Sequence, residues 1–291
     1  MAAQTAGGPP DGSGDPAPAS PPAGSRAGRN LPMAIGVGVG LGAIALLSLL
    51  TYRVTFLVVI AAAIAVSVWE LQGTLRRARG LTLSWIPVTL GAVATMALAW
   101  PYGAAALGIG VAATTLLCMV WRLPGGADGY LADLSASVFV TVYIGLFAGF
   151  ATLMLVPDDG AQRILTFLIL VVANDVGGYT AGVLAGKHPM APTISPKKSW
   201  EGFGGSVAGC MLAGALCVWL LLDGVWWHGL IIGVAIAATA TIGDLTESLI
   251  KRDLGVKDMG TILPGHGGLM DRMDSLLPSA VVTWALLTVL V

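Results

Sequence analysis

The chain has 291 residues, of which 56% are hydrophobic and only 11% are charged, with a mean hydropathy of +0.83. An average soluble domain carries roughly 25% charged residues, so an ordinary soluble enzyme or binding domain is excluded and the chain reads as an all-α polytopic membrane protein. The formal net charge is −1, no basic run dominates the chain, and no nucleic-acid partner is expected.

In chain order, residues 1–30 hold six prolines together with Gly, Ala, Ser and the acids Asp11 and Asp15. Such a stretch cannot bury enough apolar surface to fold alone, so it is expected to be a disordered tail. It lacks a basic region before a short apolar core, and the run from Leu31 is long enough to span, so it does not read as a secretory signal. A helix rising 1.5 Å per residue needs about 20 apolar residues to cross a bilayer core. That ruler predicts about nine transmembrane helices, near 31–50, 54–70, 81–99, 102–121, 134–156, 161–185, 203–222, 226–246 and 273–291. Breaks are expected at Arg53, at the cluster Arg76, Arg77 and Arg79, at Pro101, and at the turn-rich stretches "RLPGGADG", "PDDG" and Asp223-Gly224. Three parts follow: the tail 1–30, the N-terminal and middle helices 31–160, and a C-terminal catalytic region 161–291.

Under this threading thirteen of the fifteen Lys and Arg residues fall on one side of the membrane, and only Arg53 and Arg163 on the other. The positive-inside rule then puts the N-terminus in the cytoplasm and the C-terminus outside. Gly36, Gly38, Gly40 and Gly42 in the first span form overlapping small-xxx-small pairs, compatible with ordinary close packing or with a homodimer face. Cys118, Cys210 and Cys217 lie in apolar runs without CxxC spacing, which suggests neither disulfides nor a zinc site.

Acids at membrane depth are costly, roughly 2.5–3.5 kcal/mol at a helix centre, so they normally face a bundle interior or a wet cavity. Asp175 stands late in the sixth span within "LVVANDVGGYTAG". In "TIGDLTESLIKRD" at the end of the eighth, Asp244, Glu247, Ser248 and Lys251 fall at i, i+3, i+4 and i+7, one polar stripe on a helix. In "HGGLMDRMD" at the start of the ninth, Asp271 and Asp274 lie one turn apart behind His266, Gly267 and Gly268, whose glycines let backbone amides approach a ligand. The predicted orientation brings all three regions to the cytoplasmic side, with the loop "KHPMAPTISPKKSWEG" and its Lys187, Ser195, Lys197, Lys198 and Ser199. Carboxylates suited to Mg²⁺ beside lysines suited to phosphates point to metal-dependent phosphotransfer. No GxxxxGK[ST], GxGxxG, GxSxG or HExxH occurs, which removes the Walker, kinase-type and commonest hydrolase readings.

The run "SLIKRDLGVKDMGTILPGHGGLMDRMD", Ser248 to Asp274, closely resembles the motif of the phosphatidate cytidylyltransferases, or CDP-diacylglycerol synthases. Its pattern is Ser, two residues, Lys-Arg, four residues, Lys-Asp, then His-Gly-Gly and Asp-Arg-x-Asp. "SPKKSWEGFGG" resembles the family's other loop. "NDVGGYTAG" is similar to its Asp-x-x-Ala-Tyr-x-x-Gly segment, departing at Gly178 where alanine is usual, a change expected to affect packing more than chemistry. The resemblance implies transfer of a cytidylyl group from CTP to phosphatidic acid, giving CDP-diacylglycerol and pyrophosphate, at the cytoplasmic face of a bacterial-type plasma membrane. It implies Mg²⁺ and a monovalent cation such as K⁺. Asp244 and Asp271 would be the principal metal ligands, and Asp175, Glu247 and Asp274 further or supporting ones, with Lys251 and Asp175 also counted in the catalytic set. Lys197, Lys198, Lys251, Arg252 and Lys257 would meet the phosphates, and Ser195, Ser199, Ser248, His266, Gly267, Gly268 and Arg272 would complete the substrate site. A related CTP-dependent transferase or kinase acting on another lipid would share the architecture. A secondary transporter could also keep intramembrane acids, but no repeat matches spans six to nine.

Overall fold

The computed structural model describes residues 31–263 and 267–291; the stretch 1–30 and His266 lie outside the described residues. Within the described residues the chain forms nine helical rods. These are α1 (Leu31–Thr51), α2 (Arg53–Arg79), α3 (Trp85–Tyr102), α4 (Ala104–Arg122), the pair α5 (Tyr130–Val140) and α6 (Phe147–Leu155), α7 (Gly160–Ala185), α8 (Trp200–Leu221), α9 (Trp226–Leu254) and α10 (Leu276–Leu290). A π-helical turn, Thr141–Leu146, joins α5 to α6 without a break. Six of the rods, α2, α4, α5 with α6, α7, α8 and α9, are long and apolar enough to cross a membrane, while the apolar stretches Gly36–Thr51 and Leu276–Leu290 are shorter. The protein is an all-α, multi-pass membrane protein.

Several boundaries differ from those expected, for physical reasons. The apolar run ending near residue 70 continues as helix to Arg79, so Arg76, Arg77 and Arg79 form the last turn of α2 rather than a break. Cations at a helix C-terminus oppose the negative end of the macrodipole, and Gly80 in the left-handed region (φ 68°) ends the helix. The eighth predicted span likewise runs on to Leu254, with Lys251 and Arg252 in its last turn and Gly255 (φ 68°) as its stop. At the other end of the signature, a 3₁₀ turn, Met270–Arg272, precedes α10, which starts at Leu276 rather than near 273. The stretch between the sixth and seventh predicted spans is not plain loop: it holds an antiparallel hairpin, β1 (Pro189–Ala191) with β2 (Ser195–Ser199).

The two ends of the bundle are chemically distinct. At one end Arg53 donates to the carbonyls of Pro157 (2.7 Å) and Asp158 (2.5 Å), and Arg163 pairs with Asp159 (2.9 Å) and donates to the Leu287 carbonyl (3.0 Å). The other end gathers the remaining described ion pairs: Arg79 with Asp253, Arg122 with Asp133, and the 188–271 groups described below.

Glycines set how closely α7, α8 and α9 approach. A Cβ on Gly177 would lie 2.4 Å from the Gly205 carbonyl oxygen, and one on Gly214 would lie 2.2 Å from that of Gly229. Such contacts let backbone meet backbone, as in small-residue packing of membrane helices. Two apolar cores fill the rest, one under α2, α3 and α5 and one among α6, α7, α9 and α10, including the fully buried Ile64, Ile144, Leu170, Ile232 and Ile236. The close three-helix packing is what fixes Asp175, Ser199 and Asp244 relative to one another.

Candidate active site

Asp175 reaches the site from the second half of α7, and Asn174 Nδ2 donates to its Oδ1 at 3.0 Å. Across from it α8 begins at Ser199, whose Oγ accepts from the Gly202 amide at 3.1 Å and so caps the helix. This gives Ser199 a structural task beside its place on the cavity wall. Gly178, the residue that departs from the expected alanine, faces the same helix: a Cβ there would lie 2.5 Å from Ser206 Oγ, which itself donates to the Asn174 carbonyl at 2.7 Å. The departure is thus matched by Ser206 and concerns packing.

Strand β2 carries Lys197 and Lys198 to the same place. Lys198 Nζ lies 2.5 Å from Asp244 Oδ2, linking the hairpin to α9. The base of the hairpin is itself anchored, because Glu201 Oε1 is 2.5 Å from His188 Nδ1 while its Oε2 accepts from the amides of Lys187 (3.1 Å) and His188 (3.2 Å). Asn174, Asp175, Tyr179, Lys197, Lys198 and Asp244 bound a cavity of about 230 Å³. Acids and ammonium groups lining one small cavity can take a cation and an anion side by side.

One turn further along α9 lies a second polar group. The buried Glu247 has Oε2 2.9 Å from Lys251 Nζ, and Lys251 Nζ is 2.6 Å from Asp271 Oδ1. Asp271 is almost fully buried and well satisfied: it accepts from the Met259 amide at 3.0 and 3.1 Å and from the Gly268 amide at 2.7 Å. Glu247, although paired with Lys251, has no aligned hydrogen bond to either carboxylate oxygen. Asp274 stands between the two groups, close enough to bear electrostatically on both Asp244 and Glu247. The predicted stripe on α9 is therefore real but splits: Asp244 turns to Lys198 and Lys251 turns to Asp271.

The other expected site residues are less central. Gly267 takes a left-handed conformation (φ 81°) and Gly268 donates to Asp271, so the two glycines shape the turn that holds this acid. Arg272 is exposed, on the side of Asp175. Ser248 is half-buried, Ser195 opens β2 opposite Ala191, and Arg252 and Lys257 are exposed and do not line the cavity. The proposed role of His266 falls outside the described residues.

Two side chains that the sequence reading passed over join the site. Glu70, buried on α2, accepts from the Met270 amide at 3.1 Å, and its carboxylate sits against Gly260 and Gly268. It ties Gly260, Gly268 and Met270 to α2, and an acid closing the apolar run "FLVVIAAAIAVSVWE" was the available signal. Tyr143 sits on the π-helical turn, buried, with its hydroxyl lacking a protein partner and within electrostatic range of Glu247, Asp274 and Asp244. π-turns displace one residue from the regular helical face and are frequent at functional sites.

The donor set fits a hard divalent ion. Carboxylates this close repel unless a proton or a cation lies among them, and Glu247 keeps buried oxygens without aligned donors. Among the described residues no three His, Cys, Asp or Glu side chains form a ready cage. Mg²⁺ does not require one, because it is usually bound by one or two carboxylates together with waters and substrate phosphates.

Residues 33–290 match the model of the cytidylyltransferase family. The chain is 46% identical to the phosphatidate cytidylyltransferase of Mycobacterium leprae over 281 residues, covering 91% of this chain and 90% of the relative. It is 43% identical to the proteins of the same name from Mycobacterium bovis, at 91% of both chains, and from Mycobacterium tuberculosis, at 91% of this chain and 85% of the relative.

Proposed function

We propose, from the premise that this chain belongs to the cytidylyltransferase family, that it transfers the cytidylyl group of CTP to phosphatidic acid, forming CDP-diacylglycerol and pyrophosphate for phospholipid synthesis. The observation that carries the reading is the cavity in which Lys197 and Lys198 face Asp175 and Asp244. It offers cations for phosphates and carboxylates for a metal at one point.

In the reaction a phosphate oxygen of the lipid attacks the α-phosphorus of CTP, the bond to the bridging oxygen of the β-phosphate breaks, and pyrophosphate leaves with that electron pair. The attacking phosphate is already ionised near neutral pH, so the protein needs no strong base. Its residues act by alignment and charge neutralisation. Lys198, held by Asp244, presents its ammonium group at the cavity wall and Lys197 stands beside it, so both can meet phosphate oxygens. Lys251 balances Glu247 and Asp271 and keeps a cation on the far side of the carboxylates. Asp244 and Asp271 would hold Mg²⁺, with Asp175, Glu247 and Asp274 near enough to complete or orient the set, and K⁺ would serve as a monovalent partner. Bound there, Mg²⁺ would neutralise charge on the triphosphate and polarise its phosphorus.

Topology belongs to the same reading. All nine rods cross the membrane, with the N-terminus and the site on the cytoplasmic side of a bacterial-type plasma membrane and the C-terminus outside. Support comes from Arg53 and Arg163 meeting at the end of the bundle opposite the carboxylates, which is the lysine- and arginine-poor side that the positive-inside rule assigns to the exterior. A homodimer through the glycine-bearing α1 is compatible with this arrangement.

The test is the fate of labelled phosphorus. Purified protein given CTP labelled at the α-phosphate should pass label into the lipid extract, whereas γ-labelled CTP should leave it in pyrophosphate. Label from the γ-position in the lipid would instead establish a CTP-dependent lipid kinase.

A further inference from the structure

The strand that presents Lys197 and Lys198 is not aimed by its own ladder. β1 and β2 pair at Pro189 with Ser199 and at Ala191 with Ser195. Between those pairs Met190 stands alone opposite Pro196, Lys197 and Lys198, so β2 bulges where it carries both lysines. Pro196 has no amide to donate, and a two-stranded hairpin is only marginally stable by itself. Contacts outside the ladder must therefore direct the Lys198 ammonium group to Asp244.

Those contacts lie at the base of the hairpin, within one turn of chain from Lys198. The Trp200 amide donates to the His188 carbonyl at 3.0 Å. Glu201 then takes both amides that lead into β1: its Oε2 accepts from Lys187 at 3.1 Å and from His188 at 3.2 Å, while its Oε1 lies 2.5 Å from His188 Nδ1. An acid in the first turn of a helix is favoured by the macrodipole alone, but that role does not require its two oxygens to cross to another segment. Here both do, and only 25% of the side chain is exposed. Ser199 packs the same junction from the other side, since a Cβ on Gly186 would lie 2.9 Å from its Oγ.

We infer that Glu201 is a positioning residue for the phosphate-binding lysine. By clasping Lys187 and His188 to the first turn of α8, it fixes the bulged strand so that Lys198 stands against Asp244; His188 is the other half of the clasp. In this role Glu201 touches neither substrate nor metal. Its consequence for turnover rests on the cytidylyltransferase reading, in which a charge displaced by about 1 Å from the reacting phosphates costs on the order of 100-fold in rate.

The test has a kinetic arm and a geometric arm, both on the full chain in nanodiscs. Pyrophosphate release from CTP and phosphatidic acid is compared among the wild type, Glu201→Ala, Lys198→Ala and the double variant. Glu201→Ala should lower kcat/KM for CTP about 10- to 100-fold. His188→Ala, which keeps both amide contacts, should lose less, and Glu201→Gln, which keeps an acceptor for the amides, should recover part. In the Lys198→Ala background the further loss on Glu201→Ala should be about twofold or less, because a residue that acts through the lysine then has nothing to position. The same loss in both backgrounds would mean that Glu201 only steadies α8, and would overturn the inference. In the geometric arm Lys198→Cys and Asp244→Cys are joined by a short bifunctional thiol reagent, with the protein lacking added cysteines as control, its three native cysteines being buried. Crosslinking should be efficient with Glu201 present and several-fold weaker in Glu201→Ala; equal yields would overturn the clasp. Yields that differ in this way, in a protein whose wild type releases no pyrophosphate, would support the clasp while overturning the cytidylyltransferase reading.

Discussion

Lys198 and Asp244 are 46 residues apart in sequence, yet Nζ and Oδ2 are 2.5 Å apart, and through this pair the hairpin after α7 closes onto the polar end of α9. The pair is largely shielded, with about a quarter of each side chain exposed (26% and 28%). A lysine so placed is held at the cavity wall by one acid while its remaining protons point to incoming phosphate. Lys198→Ala should therefore lower kcat/KM for CTP roughly 100- to 1,000-fold, the usual cost of removing one preorganised charge-stabilising donor. Lys198→Arg should recover part of it. Steady-state pyrophosphate release checks this, and equal activity of the alanine variant would remove Lys198 from the phosphate site.

Asp271 has a second duty besides its proposed part at the metal. Its carboxylate takes the Met259 and Gly268 amides and the Lys251 ammonium group, all at a nearly water-free position. Asp271→Asn leaves Lys251 and the amides short of a negative partner, and breaking a buried pair in this way typically costs about 3–5 kcal/mol. Thermal unfolding in detergent should show a clear loss of stability in this variant, larger than in Asp244→Asn, whose carboxylate is more exposed.

Glu70 ties the segment after α9 to α2, and glycine is required where that segment passes it. A Cβ on Gly260 would stand 2.0 Å from Glu70 Oε1 and 2.3 Å from its Cδ. Gly260→Ala should destabilise the protein by about 1–3 kcal/mol, in the range of overpacked cores. Glu70→Ala, which strands the Met270 amide, should cost about 1–3 kcal/mol through an unsatisfied buried donor. Melting curves of both variants check the contact.

Tyr143 offers the opposite pattern. Its hydroxyl has no protein hydrogen bond to lose, so Tyr143→Phe should leave the melting temperature nearly unchanged. Its position beside the carboxylates predicts a loss of roughly tenfold or more in kcat, in line with the contribution of one positioned polar group. Unchanged kcat would confine Tyr143 to packing.

How much of this was legible in the sequence follows from the cost of each feature. Acids in apolar runs are expensive enough to stand out, so Asp175, Asp244 and Asp271 were visible, and the helical spacing put Glu247 and Lys251 beside them. The apolar runs likewise marked the positions of the rods. What was not legible depends on contacts between distant segments. The partner of Lys198 could not be read from its loop, nor could the role of Asp274 as the link between Asp244 and Glu247. The hairpin is built from only three and five residues, too short for a period-two pattern. Tyr143 is aimed by a π-turn that leaves no trace in hydrophobic spacing, and Glu70 sits where a span was expected to end, where an acid costs little. The tails of α2 and α9 were missed because charge ended the apolar run without ending the helix.

The most direct test of the account is Mg²⁺-dependent pyrophosphate release from CTP and phosphatidic acid by purified wild-type protein and Asp244→Asn, with ATP as the control nucleotide. The account predicts release by the wild type with CTP and Mg²⁺, little with ATP or without Mg²⁺, and none above background from a correctly inserted Asp244→Asn protein. Near-normal release by Asp244→Asn would contradict the assignment of the cavity between α7, β2 and α9 as the reacting site.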